Sequence, residues 1–337
     1  MIVVSTPGRA GIIGNPTDGY GGAMMACSIR NRATVTLKKN KTLVLVNDFG
    51  KTELLWKNDF ENKGDYFDVF RSVLRFLRAY DLKAEIRVKS NIPVQAGLSG
   101  STAILSSLLY GILAFTGKSV NRYELAEMNR IIELHYLKCQ CGYQDAYMTT
   151  FGGLLYLDFR GKEYYRELKD ETYATVENLS AHVDELPFLV AHGGVMHNSG
   201  HFHKPLRQRW LEGEKQVVDG YREIAELARF GKKALLGKDW EQLGILMNRN
   251  HKIQDALAPS GEENNALIRT ALENGAYGAK LAGAGGGGTV IILARDIAGM
   301  KDILSRKENL VFLELDPQAR GVCIREDKSS QAGAQES

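Results

Sequence analysis

The sequence predicts a mixed α+β protein in two lobes. Strand-like stretches with β-branched or alternating residues lead the chain, at Ile2 to Val4, Ala33 to Leu37, Thr42 to Val46 and Ala84 to Val88, and helical stretches follow them. A second set of helices and strands begins near residue 187, without the regular βαβ alternation of a parallel sheet. At 337 residues the chain is long enough for a large core shared by two such lobes.

Taken in order, Tyr66 to Tyr80 places Phe67, Phe70, Val73, Leu74 and Leu77 at helical spacing and leaves Arg71, Arg75 and Arg78 for solvent. Ile104, Leu105, Leu108, Leu109, Ile112 and Leu113 predict an apolar helix starting near Ser101. Leu125 to Leu137 predicts another, which ends before a loop at Lys138 to Gly142. Leu154 to Phe159 returns as a strand, the charged stretch Arg160 to Glu185 bridges, and Phe188 to Ala191 is a short strand of the second lobe. That lobe is expected to carry helices over Trp210 to Leu236, Trp240 to His251, Glu262 to Asn274 and near Ile297 to Leu304. Its strands are expected at Thr289 to Leu293, Leu310 to Leu315 and Gly321 to Ile324. The lobes are therefore drawn at 1–186 and 187–326, with a disordered tail at 327–337.

The charge balance, 43 basic against 40 acidic residues, gives no reason to expect a nucleic-acid partner. Cys27, Cys139, Cys141 and Cys323 are few, and the C-x-C pair lacks the further ligands of a structural zinc site, so ordinary reduced thiols are expected. Met1 to Thr6 has neither a charged leader nor a long apolar run, which predicts a cytoplasmic protein with no membrane span.

Three glycine-rich segments hold the chemistry: Pro7-Gly8-Arg9 running into Gly14-Asn15-Pro16-Thr17-Asp18, then Pro93 to Ala103, then Lys280 to Val290. Glycines let the backbone approach an anion, and the first turn of the helix near Ser101 offers unpaired N–H groups at the positive end of its dipole. The middle segment thus reads either as a phosphate site or as a Gly/Ser cap before a core helix. Gly283 to Gly288 satisfies G-x-G-x-x-G but opens into a strand, whereas a dinucleotide site needs a helix there. Asp48-Phe49-Gly50 spells a protein-kinase signature, yet it precedes the glycine run and no H-R-D is present. A P-loop is also lacking.

In this order the segments resemble those of the GHMP kinases, small-molecule kinases named for galactokinase, homoserine kinase, mevalonate kinase and phosphomevalonate kinase. The resemblance implies an N-terminal lobe like domain 2 of ribosomal protein S5, a ferredoxin-like C-terminal lobe, and dependence on ATP and Mg²⁺. It implies that Gly97, Leu98, Ser99, Gly100, Ser101 and Thr102 hold the ATP phosphates, and that Ser101 with Glu133 serves the metal. Asp145, twelve residues after Glu133 as in the resembling sugar kinases, would face the substrate hydroxyl, with Arg9 beside it. From the residues alone, Asp145 also suits a helix N-cap and Glu133 an exposed i,i+4 partner. Arg9, Asn15 and Asp18 would hold the substrate, and Gly283, Ala284 and Gly285 would line the same site. One departure is Gly100, which stands where the family loop commonly has a first serine.

Where galactokinases usually show Gly-Glu-His-Thr-Asp-Tyr, this chain has Gly14-Asn15-Pro16-Thr17-Asp18-Gly19, which is most like the glucuronokinase-type sugar 1-kinases. The resemblance therefore implies a sugar 1-phosphate as product and D-glucuronate as substrate. Heptose 7-phosphate or L-fucose 1-kinase activity is the alternative within the class, and a sugar-sensing regulator without turnover is the alternative outside it. Lys204, Arg207 and Arg209 would meet a substrate carboxylate or form the basic turn of a surface helix, and the histidines from His192 to His203 fit no zinc pattern.

Overall fold

The computed structural model describes residues 1–167, 170–183, 185–193, 200–283, 288–307 and 309–325. Its spine is the antiparallel pair β1 (Ile2–Ile13) and β2 (Ala23–Lys39), in register Val4 to Val35. The register shifts twice along β1, between Pro7 and Arg9 and between Gly11 and Ile13. Such irregularities bend a strand and re-aim its side chains, and here they fall on the first glycine segment. A hairpin of β3 (Leu43–Asn47) and β4 (Gly50–Leu54) comes next, and Asp48-Phe49-Gly50 is simply its turn, with Asn47 opposite Gly50.

After α1 (Asp68–Phe76), β5 (Ala84–Ser90) pairs antiparallel with β2 and parallel with β3. Its alternating pattern buries Ala84, Ile86 and Val88 on one face. Helices α2 (Gly100–Phe115), α3 (Arg122–Ile131) and α4 (Gln144–Phe151) follow, and a π-helical turn, Ile132–Tyr136, extends α3. The expected stripe on α2 is buried: Leu105, Leu108, Leu109 and Ile112 pack on Val35, Leu37 and Ile86 from the sheet and on Phe70, Val73 and Leu74 from α1. Strand β6 (Leu154–Asp158) joins the first half of β2, and β7 (Thr175–Asn178), inside the stretch expected to be a bridge, adds to β6.

The second lobe comprises β8 (Phe188–His192), α5 (Gly200–Leu211), α6 (Lys215–Leu236), α7 (Trp240–Leu257), α8 (Glu262–Glu273), β9 (Gly278–Leu281), β10 (Thr289–Leu293), α9 (Ile297–Leu304) and β11 (Val311–Leu313). Among the described residues its sheet runs β11-β8-β10-β9, antiparallel throughout, the order of a ferredoxin-like sheet. The last strand, β12 (Cys323–Ile324), returns to the first sheet beside β1, so chain position and lobe part company there. Ile12, Ile13 and Met25 of the first lobe share one apolar core with Ala228, Leu235, Met247 and Ile291 of the second. The cleft between the lobes is thus set over a packed floor.

Two expectations are corrected. The helix over Trp210 to Leu236 is broken, because the Glu214 amide closes onto the Arg209 carbonyl at 2.9 Å with Gly213 left-handed between them, a helix stop. Arg71 does not face solvent: it is 2% exposed and donates to Asp65, Asp68 and the Asp59 carbonyl. The tail at 327–337 lies outside the described residues.

The close approach of β1 to the middle glycine segment is testable. A Cβ on Gly8 would stand 2.7 Å from the Leu98 carbonyl oxygen, a backbone atom that cannot swing aside. Gly8→Ala is expected to cost about 1–3 kcal/mol by chemical denaturation, the usual range for overpacking, and to raise the KM for nucleotide. Unchanged values of both would show that the loop tolerates displacement from β1.

Candidate active site

The three glycine segments meet as backbone. The Arg9 amide donates to the Leu98 carbonyl at 3.1 Å, the Gly11 amide to the Ala282 carbonyl at 2.8 Å, and the Thr289 hydroxyl to the Ala96 carbonyl at 2.7 Å. A Cβ on Gly283 would lie 3.1 Å from the Gly97 oxygen. The middle loop takes three left-handed residues in alternation, Gln95 (φ 55°), Gly97 (φ 72°) and Ser99 (φ 61°). Two of them bear side chains and hold a conformation that costs about 1–2 kcal/mol each; such strain gathers at ligand clamps. Left-handed Ser99 places no side chain over the start of α2, which has no side-chain cap, and its buried hydroxyl finds no partner among the described residues. An anion is the natural acceptor for amides left in that state.

Arg9 joins this loop to the acidic group at the head of α4. Its Nε and Nη2 reach Asp145 Oδ1 at 2.8 and 2.6 Å, and its Nη1 donates to the Gly97 carbonyl at 2.5 Å. Arg9 is buried, whereas the Asp145 side chain stays 29% exposed, able to receive a substrate proton. The capping role open to Asp145 is filled by another residue. Asp18 Oδ2 accepts the amides of Tyr143 and Gln144 at 2.6 and 2.9 Å, so it is Asp18 that caps α4 and Asp145 that is released to the cleft. Burial raises the Asp18 pKa above the usual carboxylate range, against the pull of those two amides.

Other residues expected at the site make contacts within the protein. Asn15 is fully buried, and its amide is used up internally, accepting from Lys280 Nζ at 2.7 Å and donating to the Gly283 carbonyl at 2.5 Å. It ties the first segment to the third. Gly283 contributes the carbonyl that accepts this bond; Ala284 and Gly285 lie outside the described residues. The Thr102 hydroxyl is likewise turned away from the phosphate loop, donating to Glu133 Oε1 at 2.5 Å. Arg209 is committed to Glu214 and to the Leu257 carbonyl, and Arg207 lies over the Tyr164 ring and donates to Gln140. The Lys204 side chain and His197, His201 and His203 fall outside what is described, while His192 is buried against Thr289.

Lys280 escaped sequence reasoning. It is fully buried on β9, and burial, with Arg9 adding repulsion, lowers its pKa to about 7. Its Nζ bridges Asn15 Oδ1 and the Leu281 carbonyl. A lysine opening a glycine segment carries no sequence sign of such burial; all four residues of β9 are buried, so tertiary packing on both faces of the strand encloses it.

Comparison with known proteins now decides the family. Residues 68–153 match the model described as GHMP kinases N terminal domain and residues 232–307 the one described as GHMP kinases C terminal. Glucuronokinase 1 of Arabidopsis thaliana is 30% identical over 303 residues, 82% of this chain and 81% of that protein. The chain belongs to the GHMP kinase family. It is a phosphotransferase. The mevalonate kinase of Pyrococcus horikoshii is 26% identical over 87% of this chain and 88% of its own. In fold, Lactococcus lactis galactokinase complexed with galactose superposes with a TM-score of 0.76 at 18% identity, over 96% of this chain and 94% of that one.

Within this GHMP kinase, Glu133 is, after Asp18, a second buried acid whose pKa is raised. It sits on the π-helical turn, a distortion often found at functional sites. At 6% exposure its pKa is pushed up to about 7 by burial, with Asp145 adding to the rise and the Thr102 hydroxyl and Arg130 opposing it. A divalent cation would favour the ionised form of such a carboxyl, and Ser101, exposed at the start of α2 and next in the chain to the Thr102 that bonds Glu133, carries a hydroxyl as well. Among the described residues no three His, Cys, Asp or Glu side chains gather as a metal-holding group. A Mg²⁺ held by Ser101 and Glu133 would therefore complete its shell with phosphate and water oxygens, as this ion commonly does.

The raised pKa has a sign. Between the ordinary value of 4.5 and about 7 the folded protein keeps a proton on Glu133 that the unfolded chain has lost, so this group lowers stability as pH climbs through that window. Glu133→Gln removes the titration while keeping an acceptor for Thr102. Its Tm should exceed that of wild type by a few degrees at pH 8 without Mg²⁺, and the difference should vanish at pH 5. A difference independent of pH would mean that Glu133 is ionised throughout.

Proposed function

We propose that this GHMP kinase is an ATP- and Mg²⁺-dependent sugar kinase that phosphorylates the anomeric hydroxyl of a hexuronate, D-glucuronate above all. The observation that carries the reading is Arg9, which holds the partly exposed Asp145 carboxylate and the glycine loop at Gly97 with one guanidinium. Kinship with glucuronokinase directs the choice of sugar.

In this reading the N-terminus of α2 and the backbone of residues 97–101 receive the nucleotide phosphates. Bound Mg²⁺ would neutralise charge developing on the transferred phosphoryl group. Asp145 accepts the proton of the anomeric hydroxyl as its oxygen bonds to the γ-phosphorus and ADP leaves, giving sugar 1-phosphate. Arg9 keeps the carboxylate aimed, and its bond to Gly97 keeps that aim in register with the phosphates. Asp18 acts one step back, by fixing the first turn of α4 on which Asp145 stands.

An ADP-release assay over D-glucuronate, D-galacturonate, glucose, galactose, a heptose 7-phosphate and mevalonate tests the substrate class, and phosphorus NMR of the product tests the position. A hexuronate is expected to exceed neutral hexoses in kcat/KM by about 10²-fold or more; equal use of neutral hexoses would sink the uronate assignment. Asp145→Asn should lower kcat by roughly 10²–10⁴-fold, with little change in ATP affinity, and a variant within a few-fold of wild type would remove Asp145 from the chemistry. Ser101→Ala should raise the Mg²⁺ concentration for half-maximal rate, and an overlaying titration would contradict its assignment to the metal.

A further inference from the structure

We infer that the cavity between Arg130 and Arg207 is the subsite for the carboxylate of the sugar substrate, an inference that rests on the sugar-kinase reading above. The cavity, about 460 Å³, has Arg130, Tyr143, Tyr164 and Arg207 among its walls. Arg130 is 2% exposed, and its Nε and Nη1 find no acceptor among the described residues. The other two arginines buried to this degree are matched, Arg9 by Asp145 and Gly97 and Arg71 by Asp65 and Asp68. Arg130 feels the Glu133 carboxyl through space without a hydrogen bond to it, and lies over the face of Tyr143, 4.7 Å from its guanidinium carbon, contacts that offset part of the cost of a buried cation.

Arg207, in the same lining, lies 4.6 Å from the Tyr164 ring centre, and its Nε also lacks an acceptor among the described residues. The acidic and basic groups around these two are largely spoken for. Glu171 accepts from Lys162 at 2.9 Å and from the Tyr143 hydroxyl, and Arg166 pairs with Glu163. Glu167 also lines the cavity but is exposed. Two cations lining one cavity, with the Glu167 and Glu171 carboxylates in the same lining, suit a single negative charge better than the dianion of a phosphate ester.

The cavity belongs with the reacting groups by covalent connection. Tyr143 presents its ring to Arg130 while its amide binds Asp18, and Asp145 stands two residues further on. Arg130 is one helical turn before Glu133, on the same face, and that spacing is the one sign of it in the sequence. In a hexuronate pyranose, C5, which carries the carboxylate, and C1, which carries the anomeric hydroxyl, flank the ring oxygen. Anchoring the carboxylate at Arg130 therefore fixes where the C1 hydroxyl is presented and leaves it for Asp145.

The test compares D-glucuronate with its uncharged amide, D-glucuronamide, on wild type, Arg130→Gln and Arg207→Gln, by steady-state kinetics and by calorimetric binding. In wild type the acid should bind at least about 10²-fold better than the amide, and Arg130→Gln should erase most of that ratio through KM, with the KM for ATP unmoved. Arg207→Gln, a half-buried position whose loss leaves the core intact, should reduce the ratio by about tenfold; it keeps the test open if Arg130→Gln unfolds. An unchanged acid-to-amide ratio in the folded variants overturns the subsite. So does a loss confined to binding of glucose 6-phosphate, which would assign the cavity to phosphate. If wild type ignores glucuronate but discriminates another sugar acid from its amide through Arg130, the substrate reading fails and the subsite stands.

Discussion

The rest of the structure depends on the backbone-to-backbone meeting of β1, the 93–99 loop and the strand that leads into the third glycine segment. Amide-to-carbonyl bonds such as Arg9 to Leu98 and Gly11 to Ala282 need both chains within about 3 Å, an approach that a β-carbon at Gly8 or Gly11 would prevent. These segments are far apart in the chain, so every loop between them is closed by this one junction. The lobes are then joined by a shared apolar core, and the cleft above it has little freedom to change its floor.

Upon that junction the polar groups divide their work. Asp18 and Asn15 sit in the segment that resemblance assigns to substrate, yet both are buried and act on the protein itself, one capping α4 and the other gripping Gly283. This leaves Asp145 partly exposed and aimed by Arg9. Burial works in opposite directions on the two charged types nearby. It raises Glu133 and lowers Lys280, both to about 7, since desolvation penalises whichever form is charged. Groups balanced near neutrality respond to the arrival of a metal or an anion, which is a reason to find them at such a junction.

Periodicity made much of the fold legible. The stripe from Ile104 to Leu113 appears as α2, and the alternation of Ala84, Ile86 and Val88 as β5, because each follows from which face must leave water. Short edge elements were not legible. β4 and β7 are polar and largely exposed, and they are strands because a neighbour offers a hydrogen-bonding edge. Arg71 shows the same limit for single side chains: helical spacing points it to solvent, but Asp59 and Asp65 from the preceding segment, with Asp68 of its own helix, draw it inside.

The sequence by itself determined the glycine segments, their order, the helix that follows the middle one, and the spacing of Glu133 and Asp145. These are local properties of backbone freedom and helical period, and they sufficed to indicate the family and the kind of site. Only the tertiary structure decided which acid caps α4 and which faces the cleft, where Asn15 and Lys280 point, and that Arg130 is buried without an acceptor among the described residues. Those choices turn on distances between residues more than a hundred positions apart and on how much water each group loses, and neither quantity is written in local sequence.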